Sequence, residues 1–217
     1  MNIVFMGTPD FAVPSLVKLM DAGQQLVGVV TVPDKPAKRG QKLQSSSVKA
    51  FARSKGLPVL QPQQLNDPVF LQQLTDWSAD LFIVVAFRIL PEEVLKIPRL
   101  GAVNLHASLL PKYRGAAPIN WALIHGETET GVTTFFIDKN IDTGEILLQQ
   151  KVSITPEMTA GELHDILADV GSDLVVRTAA GIEAGNLVAI RQSGEPTRAP
   201  KLTKEMEKID WTLRALN

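Results

Sequence analysis

Leu81-Phe82-Ile83-Val84-Val85-Ala86-Phe87 is the longest uninterrupted apolar run in the chain. A strand that is apolar on both faces is typical of the centre of a parallel sheet, where helices cover both sides. The run is far shorter than the ~18 apolar residues that a membrane-spanning helix requires. It therefore predicts a buried central strand and no transmembrane segment.

Working outward from this run, short apolar segments alternate with segments of helical period. The predicted strands before it are residues 3–6, 26–32 and 57–60, and the predicted helices are residues 11–22, 48–55 and 69–78. After it we predict strands at 102–107, 132–137, 145–152 and 187–192, a helix around 119–125, and helical structure over 157–181. This alternation predicts an α/β fold with a largely parallel sheet and helices on both faces.

The composition of the 217 residues is that of an ordinary globular protein, with 45% hydrophobic and 21% charged residues. Twenty-two basic and 23 acidic residues give a net charge of −1, so nucleic acid could be held only by a local basic patch. The chain has no cysteine, which excludes disulfides, thiolate zinc sites and cysteine nucleophiles. With no signal-peptide pattern at the start, we expect a soluble, cytoplasmic protein.

The first turn of the predicted sheet argues against dinucleotide binding. Gly7 follows the first strand, where a dinucleotide fold carries three glycines at the first, third and sixth positions. Pro9 and Ala12 occupy the second and third of these positions. Binding of a nicotinamide or flavin dinucleotide is therefore disfavoured.

The predicted strand at 102–107 carries polar side chains on one face. Residues two apart on a strand share a face, so Asn104, His106 and Ser108 are expected to project together. They lie near the carboxyl end of the strand, where open α/β sheets bind ligands. Asp142, in the turn Asp142-Thr143-Gly144, is either an ordinary turn-forming residue or a carboxylate that orients His106. An amide, an imidazole and a carboxylate in one pocket could stabilise an oxyanion and move a proton without a metal.

A basic segment, residues 34–43, separates the second predicted strand from the next helix. Its cationic side chains are Lys35, Lys38, Arg39 and Lys42. The segment is either a solvated loop or a site of phosphate contact, and composition alone leaves both interpretations open.

The run Asn-Leu-His-Ala-Ser-Leu-Leu-Pro-Lys-Tyr-Arg-Gly at 104–115, with Asp-Thr-Gly at 142–144, resembles the 10-formyltetrahydrofolate formyltransferases. Three further motifs resemble the members of that family that act on methionyl-tRNA. They are Gly-Thr-Pro-Asp-Phe-Ala at 7–12, Pro-Asp-Lys-Pro with Arg-Gly at 33–40, and Leu-Thr-Lys-Glu with Ile-Asp-Trp at 202–211. The motifs occur in order along essentially the whole chain.

The resemblance implies a Rossmann-like formyltransferase fold and transfer of a formyl group from 10-formyltetrahydrofolate to the α-amine of initiator methionyl-tRNA. Asn104, His106 and Asp142 match the catalytic trio of the family. The implied folate-binding residues are Ser108, Leu109, Leu110, Pro111, Phe87, Arg88, Ile89 and Leu90. The implied tRNA-binding residues are Lys35, Lys38, Arg39 and Lys42. The family often has Ala-Tyr-Gly where this chain has Ala86-Phe87-Arg88.

The resemblance also predicts how the chain is organised. Residues 1–192 are expected to form the catalytic domain, and residues 193–217 a linker toward a C-terminal β-barrel domain that family members have beyond this point. We expect a monomer that binds reduced folate and initiator methionyl-tRNA, with no metal and no membrane. Two alternatives stay open: a formyltransferase for a small amine, such as glycinamide ribonucleotide or an amino sugar, and a non-catalytic nucleotide-binding module.

Overall fold

The computed structural model describes residues 1–36 and 43–208. Its strands are β1 (Asn2–Gly7), β2 (Gln25–Val30), β3 (Lys35–Pro36), β4 (Leu43–Gln44), β5 (Val59–Leu60), β6 (Leu81–Val85), β7 (Ala102–His106), β8 (Arg114–Gly115), β9 (Glu129–Phe136), β10 (Ile146–Ser153) and β11 (Arg198–Ala199). Its α-helices are α1 (Val13–Asp21), α2 (Ser47–Ser54), α3 (Pro68–Asp76), α4 (Glu92–Leu95), α5 (Pro118–Ile124) and α6 (Ala160–Glu183). Two short 3-10 helices lie at Asp10–Ala12 and Lys204–Glu207.

Seven strands form one sheet in the order β10-β9-β7-β6-β1-β2-β5. The five strands from β7 to β5 are parallel to their neighbours, and β9 and β10 add an antiparallel edge. The apolar run is β6, which lies between β1 and β7 with all five of its residues buried. The predicted α/β architecture with a largely parallel sheet is confirmed.

The two faces of the sheet pack against different helices, because neighbouring strand residues point in opposite directions. In β1, Ile3 and Phe5 join a buried cluster with apolar residues of α1, α2, α5 and α6. Val4 and Met6 join a second cluster on the other face with residues of α3 and α4. The prediction of helices on both faces is therefore confirmed. Within the described residues, no helix is long and apolar enough to cross a bilayer.

The helical structure predicted over residues 157–181 is one helix, α6, of 24 residues. Its start is a capping box: the Thr159 side chain accepts from the Glu162 backbone N–H, and the Glu162 carboxylate accepts from the Thr159 backbone N–H. Both donors would otherwise be unpaired at the helix end. The buried face of α6 packs on α1, β9 and β10.

The prediction of a strand at residues 187–192 is wrong. Ile190 forms one isolated antiparallel bridge with Ile146, with N–O distances of 2.7 and 2.8 Å, and the ladder does not continue. The chain instead turns toward the carboxyl edge of the sheet, where β11 pairs in parallel with β8. Residues 198–199, which the sequence predicted to belong to the linker, thus form a two-stranded ladder with β8. The predicted anchor at 209–211 lies outside the described residues.

Candidate active site

The candidate site lies at the carboxyl ends of β6 and β7, which are adjacent and parallel. Strand β6 ends at Val85 because Ala86 adopts a left-handed backbone conformation with φ of 47°. Asn104 and His106 are two residues apart near the end of β7, so both face a cavity of about 650 Å³. A cavity of this size lies within the range of small-molecule sites.

Each ring nitrogen of His106 lies near an oxygen atom. It is 6% exposed, and its Nε2 lies 2.8 Å from the carbonyl oxygen of Tyr113. Its Nδ1 lies 3.7 Å from Oδ2 of Asp142. The carbonyl oxygen can only accept, so valence assigns the proton of the neutral ring to Nε2. Nδ1 is then the nitrogen with a free lone pair, which can accept a proton.

Asp142 occupies the loop between β9 and β10 in a left-handed conformation with φ of 54°. Its Oδ2 accepts a hydrogen bond of 2.8 Å from the backbone N–H of Gly115. The side-chain Nε2 of Gln192 donates to the main-chain oxygens of Asp142 and Gly144 at 2.9 and 2.8 Å. Both the carboxylate and its backbone are therefore fixed from outside the loop.

Two cavities meet at this site. The larger one extends toward Phe11, Pro118 and Ile119, and a smaller one of about 110 Å³ extends between residues 87–90 and 137–142. Asn104 and Asp142 line both cavities. Among the described residues the Asn104 side chain forms no hydrogen bond, so its amide is available where the cavities join.

The predicted folate residues divide into two groups. Phe87, Arg88, Ile89 and Leu90 all line the smaller cavity. The Arg88 guanidinium donates to the carbonyl oxygens of Pro62 and Gln63 at 2.8 and 3.0 Å and so fixes this loop. Burial lowers the pKa of Arg88, whose Nε is buried with no partner among the described residues.

The second group, Ser108, Leu109, Leu110 and Pro111, lies in the loop after β7. The strand ends at His106, so the chain turns before Ser108, and Ser108 does not share the cavity face of Asn104. The buried Ser108 hydroxyl donates instead to the carbonyl oxygen of Lys112 at 2.6 Å. Leu109 and Pro111 line a separate cavity of about 350 Å³, and Leu110 is buried.

Lys35 is the one predicted tRNA-binding residue that the structure describes. It is exposed in β3, which pairs antiparallel with β4 so that Lys35 faces Gln44 across the ladder. The base of this hairpin is held by Asp34, which accepts from Lys49 and from Gln61. Lys38, Arg39 and Lys42 lie outside the described residues.

Sequence reasoning missed three residues that hold the site: Tyr113, Gly115 and Gln192. Tyr113 and Gly115 act through backbone atoms, which leave no side-chain signal in a sequence. Gln192 bonds backbone oxygens 48 and 50 residues away. Its position near the predicted linker indicates only weakly that it belongs to the site, and no local sequence pattern marks it. Across residues 1–36 and 43–208, no group of three or more His, Asp or Glu side chains is placed to hold a metal ion.

Comparison with known proteins identifies the family. The sequence pattern of the family described as formyl transferase matches residues 1–179. This chain is a member of the formyl transferase family. A methionyl-tRNA formyltransferase of Bacteroides fragilis is 53% identical over 216 residues, which cover 97% of this chain and 67% of that protein. The methionyl-tRNA formyltransferase of Flavobacterium johnsoniae is 52% identical over 214 residues, covering 98% of this formyl transferase and 68% of the relative.

Solved structures place this formyl transferase in the expected fold, so the predicted Rossmann-like formyltransferase architecture is confirmed. A glycinamide ribonucleotide transformylase of Symbiobacterium toebii superposes with a TM-score of 0.74 at 18% identity, covering 89% of this chain and 94% of that one. An N-formyltransferase of Helicobacter canadensis, solved with folinic acid and dTDP-3-aminofucose, has a TM-score of 0.66 at 25% identity. It covers 88% of this chain and 67% of that one.

Proposed function

We propose that this formyl transferase moves the formyl group of 10-formyltetrahydrofolate to the α-amino group of initiator methionyl-tRNA. The observation that carries the proposal is the meeting of two cavities at Asn104 and Asp142. A group-transfer enzyme must bring donor and acceptor together at one reacting carbon. Relatives that are 52–53% identical over nearly the whole chain are methionyl-tRNA formyltransferases, which supports this acceptor.

The pterin end of the donor would enter the smaller cavity and the acceptor the larger one. The smaller cavity is bordered by residues 87–90 and 137–142, whose backbone groups could meet the hydrogen-bonding edge of a pterin. The larger cavity has an apolar wall at Phe11, Pro118 and Ile119. This wall suits the methionyl side chain, whose unbranched thioether adapts to irregular apolar surfaces.

The chemistry makes one bond and breaks another at the formyl carbon. The α-amine attacks that carbon and forms a tetrahedral intermediate whose oxygen carries negative charge, and the bond to N10 of the folate then breaks. The Asn104 amide would donate a hydrogen bond to this oxyanion, where a positioned donor stabilises developing charge. An α-amino group has a pKa of roughly 7.7–8.0, so a neutral fraction is present near neutral pH.

The proton would move through His106. Nδ1 accepts the proton that the attacking amine loses and returns it to N10 as the leaving group departs. Asp142, 3.7 Å from Nδ1, would stabilise the imidazolium between these two transfers. This arrangement supports the proposed catalytic roles of Asn104, His106 and Asp142.

The tRNA would also be held by the basic segment that includes Lys35, Lys38, Arg39 and Lys42. Lys35 is exposed on the hairpin that leads into residues 37–42. The ion pair of Asp34 with Lys49 holds the base of that hairpin to α2. Four cations within eight residues of sequence, in a chain of net charge −1, are the local positive charge that acceptor-stem phosphates would need.

The decisive experiment offers 10-formyltetrahydrofolate with methionyl-tRNA, with glycinamide ribonucleotide and with a nucleotide-linked amino sugar in parallel. We expect N-formylmethionine after hydrolysis of the tRNA, identified by mass, and little product from the small amines. His106→Asn, incubated identically, controls for contaminating activity. Faster formylation of a small amine than of methionyl-tRNA would overturn the assignment of the acceptor.

A further inference from the structure

We propose that Tyr113 is a positioning residue whose backbone carbonyl keeps the proton of His106 on Nε2, and that its hydroxyl anchors this carbonyl. The inference rests on the proposed role of His106 as the proton carrier. Tyr113 lies at the turn between β7 and β8, and its side chain takes no part in the proposed reaction.

The backbone of Tyr113 contacts His106 directly. The Tyr113 carbonyl oxygen lies 2.8 Å from Nε2 in a buried setting. A carbonyl oxygen has no proton to give, so this contact exists only when Nε2 carries one. Loss of the contact would allow the proton to sit on Nδ1, the nitrogen that faces Asp142. The neutral ring could not then accept a proton on the side where the reaction needs a base.

An unusual backbone conformation at Tyr113 aims this carbonyl. Tyr113 has φ of 60°, in the left-handed region that bulky L-residues rarely adopt. Such a conformation persists where surrounding contacts determine it. The backbone N–H of Tyr113 donates to Oγ1 of Thr197 at 2.8 Å, which fixes the peptide on its other side.

The Tyr113 side chain is anchored through its hydroxyl. The Tyr113 hydroxyl donates to Oε1 of Glu127 at 2.7 Å, and its oxygen lies 3.1 Å from Nδ1 of His125. The hydroxyl has one proton, so with Glu127 as its acceptor the contact with His125 requires the proton on His125 Nδ1. Tyr113 is 5% exposed, and burial, followed by Glu127, raises the pKa of its phenol. The phenol thus stays a neutral donor, and Tyr113 is held both at its backbone and at its hydroxyl.

The test compares Tyr113→Phe with Thr178→Val, a control that removes another buried hydroxyl. The Oγ1 of Thr178 lies 2.8 Å from that of Thr134, and neither residue lines the cavities of the site. Both variants should lower the melting temperature. Only Tyr113→Phe should lower kcat, by about 10-fold to 100-fold, with the KM for folate unchanged, because misplacement of a catalytic group slows the chemical step. A kcat equal to that of the wild type would overturn the proposal.

Two variants at the partner residue test the anchor itself. Glu127→Gln keeps an acceptor oxygen for the hydroxyl and should retain most of the turnover. Glu127→Ala removes it and should match Tyr113→Phe, and the combined variant should lose no more than either alone. Both Glu127 variants remove the ion pair with Lys112, so the charge change is the same in each. Equal turnover in the Gln and Ala variants would contradict the anchoring role.

A measurement without substrate separates this inference from the proposed function. In protein labelled with ¹⁵N-histidine, at a pH where the imidazole is neutral, His106 should carry its proton on Nε2, with the signal assigned from His106→Asn. In Tyr113→Phe the Nδ1–H tautomer should become populated. A wild-type His106 protonated on Nδ1 would overturn the inference. Failure to formylate methionyl-tRNA would overturn only the proposed function.

Discussion

The Nε2 of Gln192 lies 2.9 Å from the main-chain oxygen of Asp142, and this bond ties the carboxylate loop to a segment 50 residues later in the chain. The Oε1 of the same amide accepts from the Arg114 guanidinium at 2.6 and 3.2 Å. One side chain therefore joins the loop after β7 to the loop between β9 and β10. His106 ends β7 directly before the first of these loops, and Asp142 lies in the second.

Replacing Gln192 by leucine should loosen this connection. The carbonyl oxygens of Asp142 and Gly144 would lose their donor, which costs about 1–3 kcal/mol of unfolding free energy for a part-buried group. We expect turnover to fall with that loss, measured by denaturant unfolding and steady-state kinetics. Gln72→Ala is the matched control, since Gln72 bonds Asp76 on the exposed face of α3. Equal effects of the two variants would show that Gln192 has no special role.

His106→Asn should leave folate binding nearly intact and lower turnover by roughly 10²–10⁴-fold, the usual effect of a positioned acid–base group. Asp142→Asn should lower turnover as well. The double variant should lose much less than the product of the two single losses, because the pair acts as a unit. Rates from single-turnover formylation and folate affinity from titration check this. Strictly multiplicative losses would mean that the two residues act independently.

Gly144→Ala should disrupt the loop that carries Asp142. A Cβ on Gly144 would lie 1.6 Å from the carbonyl oxygen of Phe136, so the backbone would have to move. We expect a loss of about 2–4 kcal/mol in unfolding free energy, at the upper end of single-substitution effects, together with lost turnover. Gly161→Ala in the first turn of α6 is the control. The nearest atom to its new Cβ is 4.0 Å away, and alanine should stabilise the helix by up to about 1 kcal/mol.

The base of the basic segment should show a pH dependence. The Lys49 ammonium, and then the Gln61 amide, hold the pKa of Asp34 below its ordinary value. A carboxyl whose pKa is lowered by folding stabilises the protein above its unfolded pKa of roughly 3.9, and this stabilisation is lost as pH falls through the folded pKa. The melting-temperature difference between wild type and Asp34→Asn should therefore shrink as the solution is acidified below about pH 4. A difference that stays constant through this range would contradict the assignment.

Arg39→Ala should weaken tRNA binding without changing folate affinity. Each lost phosphate contact removes about one unit from the slope of log affinity against log salt. Arginine is the strongest candidate in the segment because a guanidinium can bind phosphate through two parallel hydrogen bonds. Affinity titrations over a salt series, run beside a folate titration, check this prediction. An unchanged slope would leave the segment as a solvated loop, and lost folate affinity would indicate a structural role.

The elements of the fold that could be predicted are those marked by an uninterrupted apolar run. The runs at 81–87 and at 3–6 identified β6 and β1, because an uninterrupted apolar run reflects burial on both faces of the sheet. The strand ends were less predictable, since Ala86 ends β6 through its backbone conformation. The strand predicted at 187–192 failed because its apolar residues are largely exposed; Val188 is 76% and Ile190 62% exposed.

The site was predictable where side chains carry it. Asn104 and His106 lie on one strand face, where open α/β sheets bind ligands, and Asp142 lies in a turn between two later strands; the structure brings all three to one cavity. Ser108 was expected on the same face, but its position depends on where β7 ends. No sequence pattern indicated the hydrogen bond from His106 to the Tyr113 carbonyl, because any residue supplies a carbonyl oxygen.

The parallel ladder between β8 and β11 constrains both the evolution and the engineering of the site. The loop beside His106 takes its shape from two stretches of the gene, and Arg114 and Gln192 are 78 codons apart. A mutation in either stretch alters the surroundings of the other, so the two cannot drift independently. A chimera joined between them would inherit one half of the contact from each parent. Crossover points for recombining this enzyme with its relatives therefore belong before residue 102 or after residue 200.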